Sequence, residues 1–156
     1  MRGLRPPQPA FGYLQSVRRQ ASLPAMSSHI ASCSCGQLTA TISEPPIRVS
    51  VCHCLACQRR TGSVFGAQAR FSKKCVTISG QSRQYVRVGD AGSRITFHFC
   101  PECGATVYWA LQGPEEHVAI PVGAFAEPGF PPPAFSVYEE RMHSWVRMPD
   151  DIEHMP

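Results

Sequence analysis

Hydrophobic and polar residues alternate over short stretches from about residue 29 onward. Leu38, Ala40 and Ile42 alternate with Thr39 and Thr41, which predicts a half-buried strand that Glu44-Pro45-Pro46 ends. Ile47 to Val51 alternates again and runs directly into Cys52. Val64 to Phe71 and Cys75 to Ile78 read as further strands, the latter closed by Ser79-Gly80. Tyr85 to Val88, a turn-forming stretch at 89–93 and Ile95 to Phe99 form a predicted hairpin whose second arm delivers Cys100. Ala105 to Ala110 carries Val107 and Trp109 on one face. His117 to Val122 is the next strand, Pro128 to Pro133 a rigid loop, and Phe135 to Tyr138 a last short strand. No stretch holds a period of about 3.6 residues over helical length. There is no internal repeat. The predicted class is mainly β, in small antiparallel sheets.

Residues 1–28 stand apart: they are rich in Pro, Arg and Ser, with no hydrophobic period. They read as a disordered or dispensable leader. The acid-free, Arg-rich composition is also that of a transit peptide, and Met26 is a candidate first residue. A domain over 29–150 and a short tail over 151–156 complete the organisation. The expected location is cytoplasmic, or mitochondrial if residues 1–26 are a transit peptide.

Charge sharpens this division. The chain has 15 Lys and Arg against 11 Asp and Glu, a net charge of +4. Arg2, Arg5, Arg18 and Arg19 supply the whole surplus, because the first acid is Glu44; from Ser27 onward the chain is neutral. Nucleic acid, which demands clustered cations, is not an expected partner of the main body. Hydrophobic residues at 43% suffice for a core. No apolar run approaches the ~20 residues of a membrane span, so no membrane partner is expected.

The chemistry lies in eight cysteines, at 33, 35, 52, 54, 57, 75, 100 and 103. A disulfide framework suits short secreted chains with a signal peptide, and the N-terminus has no apolar segment of that kind. Cysteines two or three apart bridge each other poorly but grip one ion well from a tight turn. Zn2+ is therefore the expected cofactor, two ions per chain. Cys100-Pro-Glu-Cys103-Gly104 is a knuckle, with Gly104 able to take positive φ. Cys33-Ser-Cys35-Gly36 is its natural other half. Four thiolates at Cys33, Cys35, Cys100 and Cys103 would form a closed structural site.

Cys52, Cys54 and Cys57 form a different group, three thiols in six residues without a local fourth ligand. An open position distinguishes catalytic from structural zinc. The candidates to close it are Cys75, His53 and His98. His53 is expected to point away, His98 to sit on the face opposite the core, and Cys75 to be an ordinary small strand residue. Three thiolates make the ion electron-rich, a poor activator of water but well suited to capture a thiol. The expected partner is a small-molecule thiol. Arg59 and Arg60, just past Cys57, are candidates to bind a substrate carboxylate, against the plainer reading of solvated surface arginines. Trp145 is expected to clamp the C-terminal tail, with a pocket wall as the alternative.

Cys-Ser-Cys-Gly at 33–36, Cys52-His-Cys-x2-Cys57 followed by Gln58 to Ser63, Phe99-Cys-x2-Cys-Gly at 99–104, and Tyr138 to Arg141 with Trp145 together resemble the GFA family. It is named for the glutathione-dependent formaldehyde-activating enzyme and includes centromere protein V. The resemblance covers about residues 29–150 in order. It implies a β-tent fold, a structural zinc at Cys33, Cys35, Cys100 and Cys103, and a second zinc at Cys52, Cys54 and Cys57 where a thiol reacts. The implied activity is that of a carbon–sulfur lyase, joining formaldehyde to glutathione as S-hydroxymethylglutathione. In the synthase itself a small residue separates the first two trio cysteines and a Lys precedes the third. Here His53 and Ala56 hold those places, a pattern of the broader family. Two other readings compete: a non-catalytic zinc module that contacts protein or nucleic acid, and a redox or metal-storage role for the thiols.

Overall fold

The computed structural model of the chain describes residues 28–89, 92–111 and 116–155. Residues 1–27 of the leader lie outside the described residues. The strands are β1 (His29–Ser32), β2 (Thr39–Ile42), β3 (Arg48–Cys52), β4 (Gly66–Ser72), β5 (Val76–Ser79), β6 (Arg83–Val88), β7 (Arg94–Phe99), β8 (Thr106–Leu111), β9 (His117–Pro121), β10 (Phe135–Val137) and β11 (Glu153–Met155). One helix, α1 (Leu55–Thr61), follows β3.

β1, β2 and β5 make a three-stranded antiparallel sheet. The other strands form an eight-stranded sheet in the order β11-β10-β3-β4-β9-β8-β7-β6. Within it only β10 runs parallel to its neighbours, β3 and β11. The fold is mainly β, a β-tent.

The core sits between the sheets. Ala31, Leu38, Ala40 and Ile42 from the small sheet and its turn meet Ala69, Phe71, Val118 and Ile120 from the large one. Full burial of Phe71, Leu38, Ile42 and Ile120 is worth roughly 1.5–3 kcal/mol each. The period of two that sends Ala69 and Phe71 inward sends Gln68 and Arg70 to the other face. Register extends that face across two strands, pairing Arg48 with Arg70, Ser50 with Gln68 and Cys52 with Gly66. A polar column thus leads along the outer face of the large sheet to Cys52.

The strands centred on Thr39–Ile42, the segment before Cys52, the β6–β7 hairpin and β9 lie where the sequence pattern places them. Four features differ. α1 spans only seven residues, buries none of them, and so shows no apolar period. The Cys54 sulfur accepts the Cys57 N–H at its start, and Gly62 ends it at φ 67. Cys75 is not on a strand. It closes a single 3-10 turn, Lys73–Cys75, before β5. Val107 and Trp109 do not share a face. A register shift opposite His98 and Phe99 separates them, so Val107 joins the core while Trp109 turns to the outer side. β11 lies past residue 150, paired with β10, where composition alone suggested a tail.

Gly80 fixes the approach of the two halves of the small sheet. It holds φ +94, and a Cβ there would overlap the Gln37 carbonyl oxygen, with Leu38 Cα at 3.0 Å. Both obstacles are backbone. Gly80→Ala is expected to cost more than about 2 kcal/mol in a urea unfolding curve.

Candidate metal-thiolate sites

Two turns build the first cluster. After β1, the Gly36 N–H bonds to the Cys33 carbonyl at 3.0 Å, with Gly36 at φ +80. After β7, the Gly104 N–H bonds to the Cys100 carbonyl at 2.9 Å, with Gly104 at φ +73. The sulfurs of Cys33, Cys35, Cys100 and Cys103 all lie within 4.8 Å of one another. Cys35 and Cys100, 65 residues apart, have their sulfurs 3.6 Å from each other. N–H groups face these sulfurs. Gln37 Nε2 donates to Cys100 at 3.2 Å, and the Leu38 N–H donates to Cys33 at 3.3 Å. Burial pushes the Cys100 thiol up, yet the Gln37 amide and the N–H groups of Cys103 and Glu102 bring it down to about 6. Such donors hold sulfur as thiolate, as ligands require.

The second cluster comes from one continuous segment. Cys52 ends β3, Cys54 caps α1 and Cys57 lies in its first turn. Their sulfurs also fall within 4.8 Å of one another. Hydrogen bonds from the Cys52 and Cys57 thiols hold Cys54 far below the usual thiol range, and Cys52, donating to Cys54, is pushed far above it. Cys52 is buried, while Cys54 and Cys57 are half-buried.

None of the expected candidates joins the trio. His53 is 0% exposed and turns away to hydrogen-bond Ser136 Oγ at 3.2 Å. His98 bonds Ser82 Oγ through Nδ1 at 3.1 Å and stacks on Tyr108. Cys75 donates to the Ser72 carbonyl at 3.0 Å and is buried in the core. Among the described residues, the cluster has three ligands and no fourth.

Gln58 ties this loop to the C-terminal segment. Its amide donates to the carbonyls of His53 at 2.8 Å and Arg141 at 3.1 Å, and its oxygen accepts from His143 at 3.2 Å. The 3-10 turn Glu139–Arg141 is thereby held against α1.

Two adjoining cavities meet at Cys54, sharing also Arg87 and Phe97. A cleft of about 820 Å3 is lined by Cys54, Arg59, Arg60, Tyr85, Phe97 and Arg141, among others. A smaller one of about 220 Å3 is lined by all three cysteines together with Gln68, Arg70, Phe97 and Trp109. Both predicted arginines reach the cleft, but they differ. Arg59 is exposed. Arg60 lies 4.4 Å over the Trp109 ring and 5.7 Å from Phe97, and its buried Nε and Nη2 have no hydrogen-bond partner. Gly66 leaves room for it: a Cβ there would stand 3.1 Å from Arg60 Nη2 and 3.4 Å from Cys57 Cβ.

Arg70, Gln68, Phe97 and Arg141 were not predicted, because strand register and the returning C-terminal segment bring them in. Alternation in β4 does place Gln68 and Arg70 on one face with Cys52, a signal visible once the β3–β4 pairing is known. Trp145, expected to clamp the tail, is 68% exposed, meets His143 edge-on at 6.0 Å and lines neither cavity.

The fold and these sites define a mainly β domain with two cysteine clusters, of four and three thiols, each able to hold a metal ion. Residues 28–146 match the family described as GFA, glutathione-dependent formaldehyde-activating enzyme, and the chain belongs to it. No curated protein sequence matches the chain. Among solved structures, one of a Rhodobacter sphaeroides protein is similar at 17% identity and a TM-score of 0.48, covering 66% of this chain and 91% of that one. Among the described residues, no helix is long and apolar enough to cross a membrane.

Proposed function

We propose that the protein is a zinc-dependent enzyme of carbon–sulfur lyase type that joins a small aldehyde to a carboxylate-bearing thiol, with formaldehyde and glutathione as the leading pair. The observation that carries this reading is the trio: three converging thiols, no fourth protein ligand among the described residues, and a cleft with arginines at its edge. The donor set fits zinc, since soft thiolates favour it and three protein ligands leave a position for substrate. Zinc held by Cys52, Cys54 and Cys57 would supply one thing, stabilisation of the substrate sulfur as thiolate. The four-cysteine cluster fits a closed structural zinc.

The chain's own residues do the remaining work. Arg60, stacked on Trp109 and Phe97, lines the cleft with a guanidinium whose charge a substrate carboxylate would balance. Phe97 and Tyr85 give the cleft an apolar wall for the carbon skeleton. Arg60→Met is expected to raise the thiol KM by about tenfold or more, the loss of one charge-assisted hydrogen bond. Arg59→Met, at an exposed position, should change it less than about threefold.

The reading is tested by exchange NMR on a mixture of formaldehyde and glutathione. Catalytic amounts of protein should accelerate interconversion with the S-hydroxymethyl adduct. A rate equal to the uncatalysed background would refute it.

A further inference from the structure

The cavity of about 220 Å3 beside the trio has a chemistry of its own. At about 30 Å3 per water in the liquid, it has room for about seven waters or one small molecule. A peptide-sized thiol is better matched to the cleft of about 820 Å3. All three cysteines line it, so whatever enters lies beside the sulfurs.

One wall comes from β4. Gln68 is 7% exposed, and its amide makes a long bond of 3.4 Å to Ser50 Oγ. Arg70 stands next on the same face, directly opposite Arg48 on β3. Like charges facing each other across an antiparallel pair are destabilising. Arg48 lies 4.2 Å over the Phe135 ring and reaches the Met155 sulfur. Arg70 makes no ion pair with any described residue, and its buried Nε has no hydrogen-bond partner. The opposite charge facing Arg70 is the Cys52 sulfur of the trio. With no described carboxylate to hold it, the Arg70 guanidinium at the cavity wall can also meet a charge that grows on a bound oxygen.

We infer that this inner cavity is the compartment of the carbonyl substrate, and that Arg70, assisted by Gln68, is the catalytic residue that holds its oxygen. The inference rests on the reading above. In the step it serves, the thiolate sulfur forms a bond to the carbonyl carbon, and the C=O π pair moves onto oxygen. That oxygen then takes up, through solvent, the proton the thiol released on binding. The product is the hydroxymethyl thioether, with no oxidant or reductant consumed. Arg70 donates to the oxygen as its charge grows, a contribution of the oxyanion-hole kind. The thiol then enters through the arginine-edged cleft and the aldehyde occupies the adjoining smaller cavity, the two spaces meeting at Cys54.

The test compares wild type with Arg70→Gln, Arg70→Lys and Gln68→Leu, all as full chains checked for metal content and folding. Arg70→Gln is expected to lower kcat about 100-fold and raise the aldehyde KM. Calorimetric affinity for glutathione should stay within about twofold, and Arg70→Lys should recover about a tenth of the rate. Formate, a one-carbon oxyanion, should bind wild type and lose that binding in Arg70→Gln. Should Arg70→Gln not fold, Gln68→Leu carries the test, with an aldehyde KM raised by about threefold or more and glutathione affinity kept. An unchanged aldehyde KM and kcat in these variants overturns the inference alone, as does a loss of glutathione affinity matching the loss of rate. Absence of thiol–aldehyde turnover in wild type refutes the functional reading, and the role of Arg70 with it.

Discussion

Cys54→Ser is expected to release one of two bound metal ions and to reduce thiol–aldehyde turnover by at least about 100-fold, while the fold survives. Native mass spectrometry counts the ions, and the exchange assay reads the rate. The separation of effects follows from where Cys54 sits. As the cap of α1 its sulfur accepts the Cys57 N–H, and a serine hydroxyl performs the same capping task well. A neutral hydroxyl is nevertheless a poor ligand for an ion that prefers thiolate, and the site drops to two sulfurs. Cys54 is half-buried and outside the core cluster, so the change opens no cavity there. Full turnover with only the four-cysteine ion bound would show that the trio is not the reactive centre.

Cys100→Ser should have the opposite profile, with the domain itself lost. Cys100 is 0% exposed and belongs to the core cluster as well as to the first metal-thiolate group. It links the turn after β7 to the turn after β1. Apparent binding energies of structural zinc are of order 10–16 kcal/mol, comparable to the whole stability of a domain at about 5–15 kcal/mol. Removing one of four ligands is expected to lower the thermal midpoint by more than about 10 °C or to abolish a cooperative transition. Circular dichroism during heating measures it, and chelator added to wild type should act in the same direction. A melting curve unchanged by both treatments would mean that the sheets hold without this ion.

The parts of the molecule legible in the sequence are those whose signal is local. Each cysteine cluster draws its members from turns of a few residues, so spacing reveals them, and the Gly after Cys35 and Cys103 marks the turn. β2 shows because Ala40 and Ile42 are buried while Thr41 is not, and β9 shows as a short apolar run, Val118 to Ile120, buried on both faces. α1 escaped notice because seven residues give barely two turns and none is buried. The offset between Val107 and Trp109 escaped because a one-residue irregularity against β7 reverses which face a side chain meets. Arg70 and Gln68 lie within a segment correctly read as a strand. Their place beside the trio depends on the pairing of β3 with β4, which composition does not encode. Arg60 and Arg59 are adjacent in sequence and look equivalent there. Only the rings of Trp109 and Phe97, from strands far along the chain, make one a stacked and unpartnered cation and leave the other in solvent.

The parallel pairing of β10 with β3 has a consequence for the order of events during synthesis. The first metal cluster has all its ligands once Cys103 has been made. The trio is also complete in sequence by then, yet Cys52 still lacks its neighbour Val137, and the His53 N–H lacks the Val137 carbonyl that it meets at 3.0 Å. The Arg141 carbonyl, which Gln58 binds, arrives later still. A nascent chain can therefore hold every ligand of the first cluster while the trio still lacks a flank and the large sheet still lacks β8 to β11, so the four thiols meet before the sheet that surrounds them is complete.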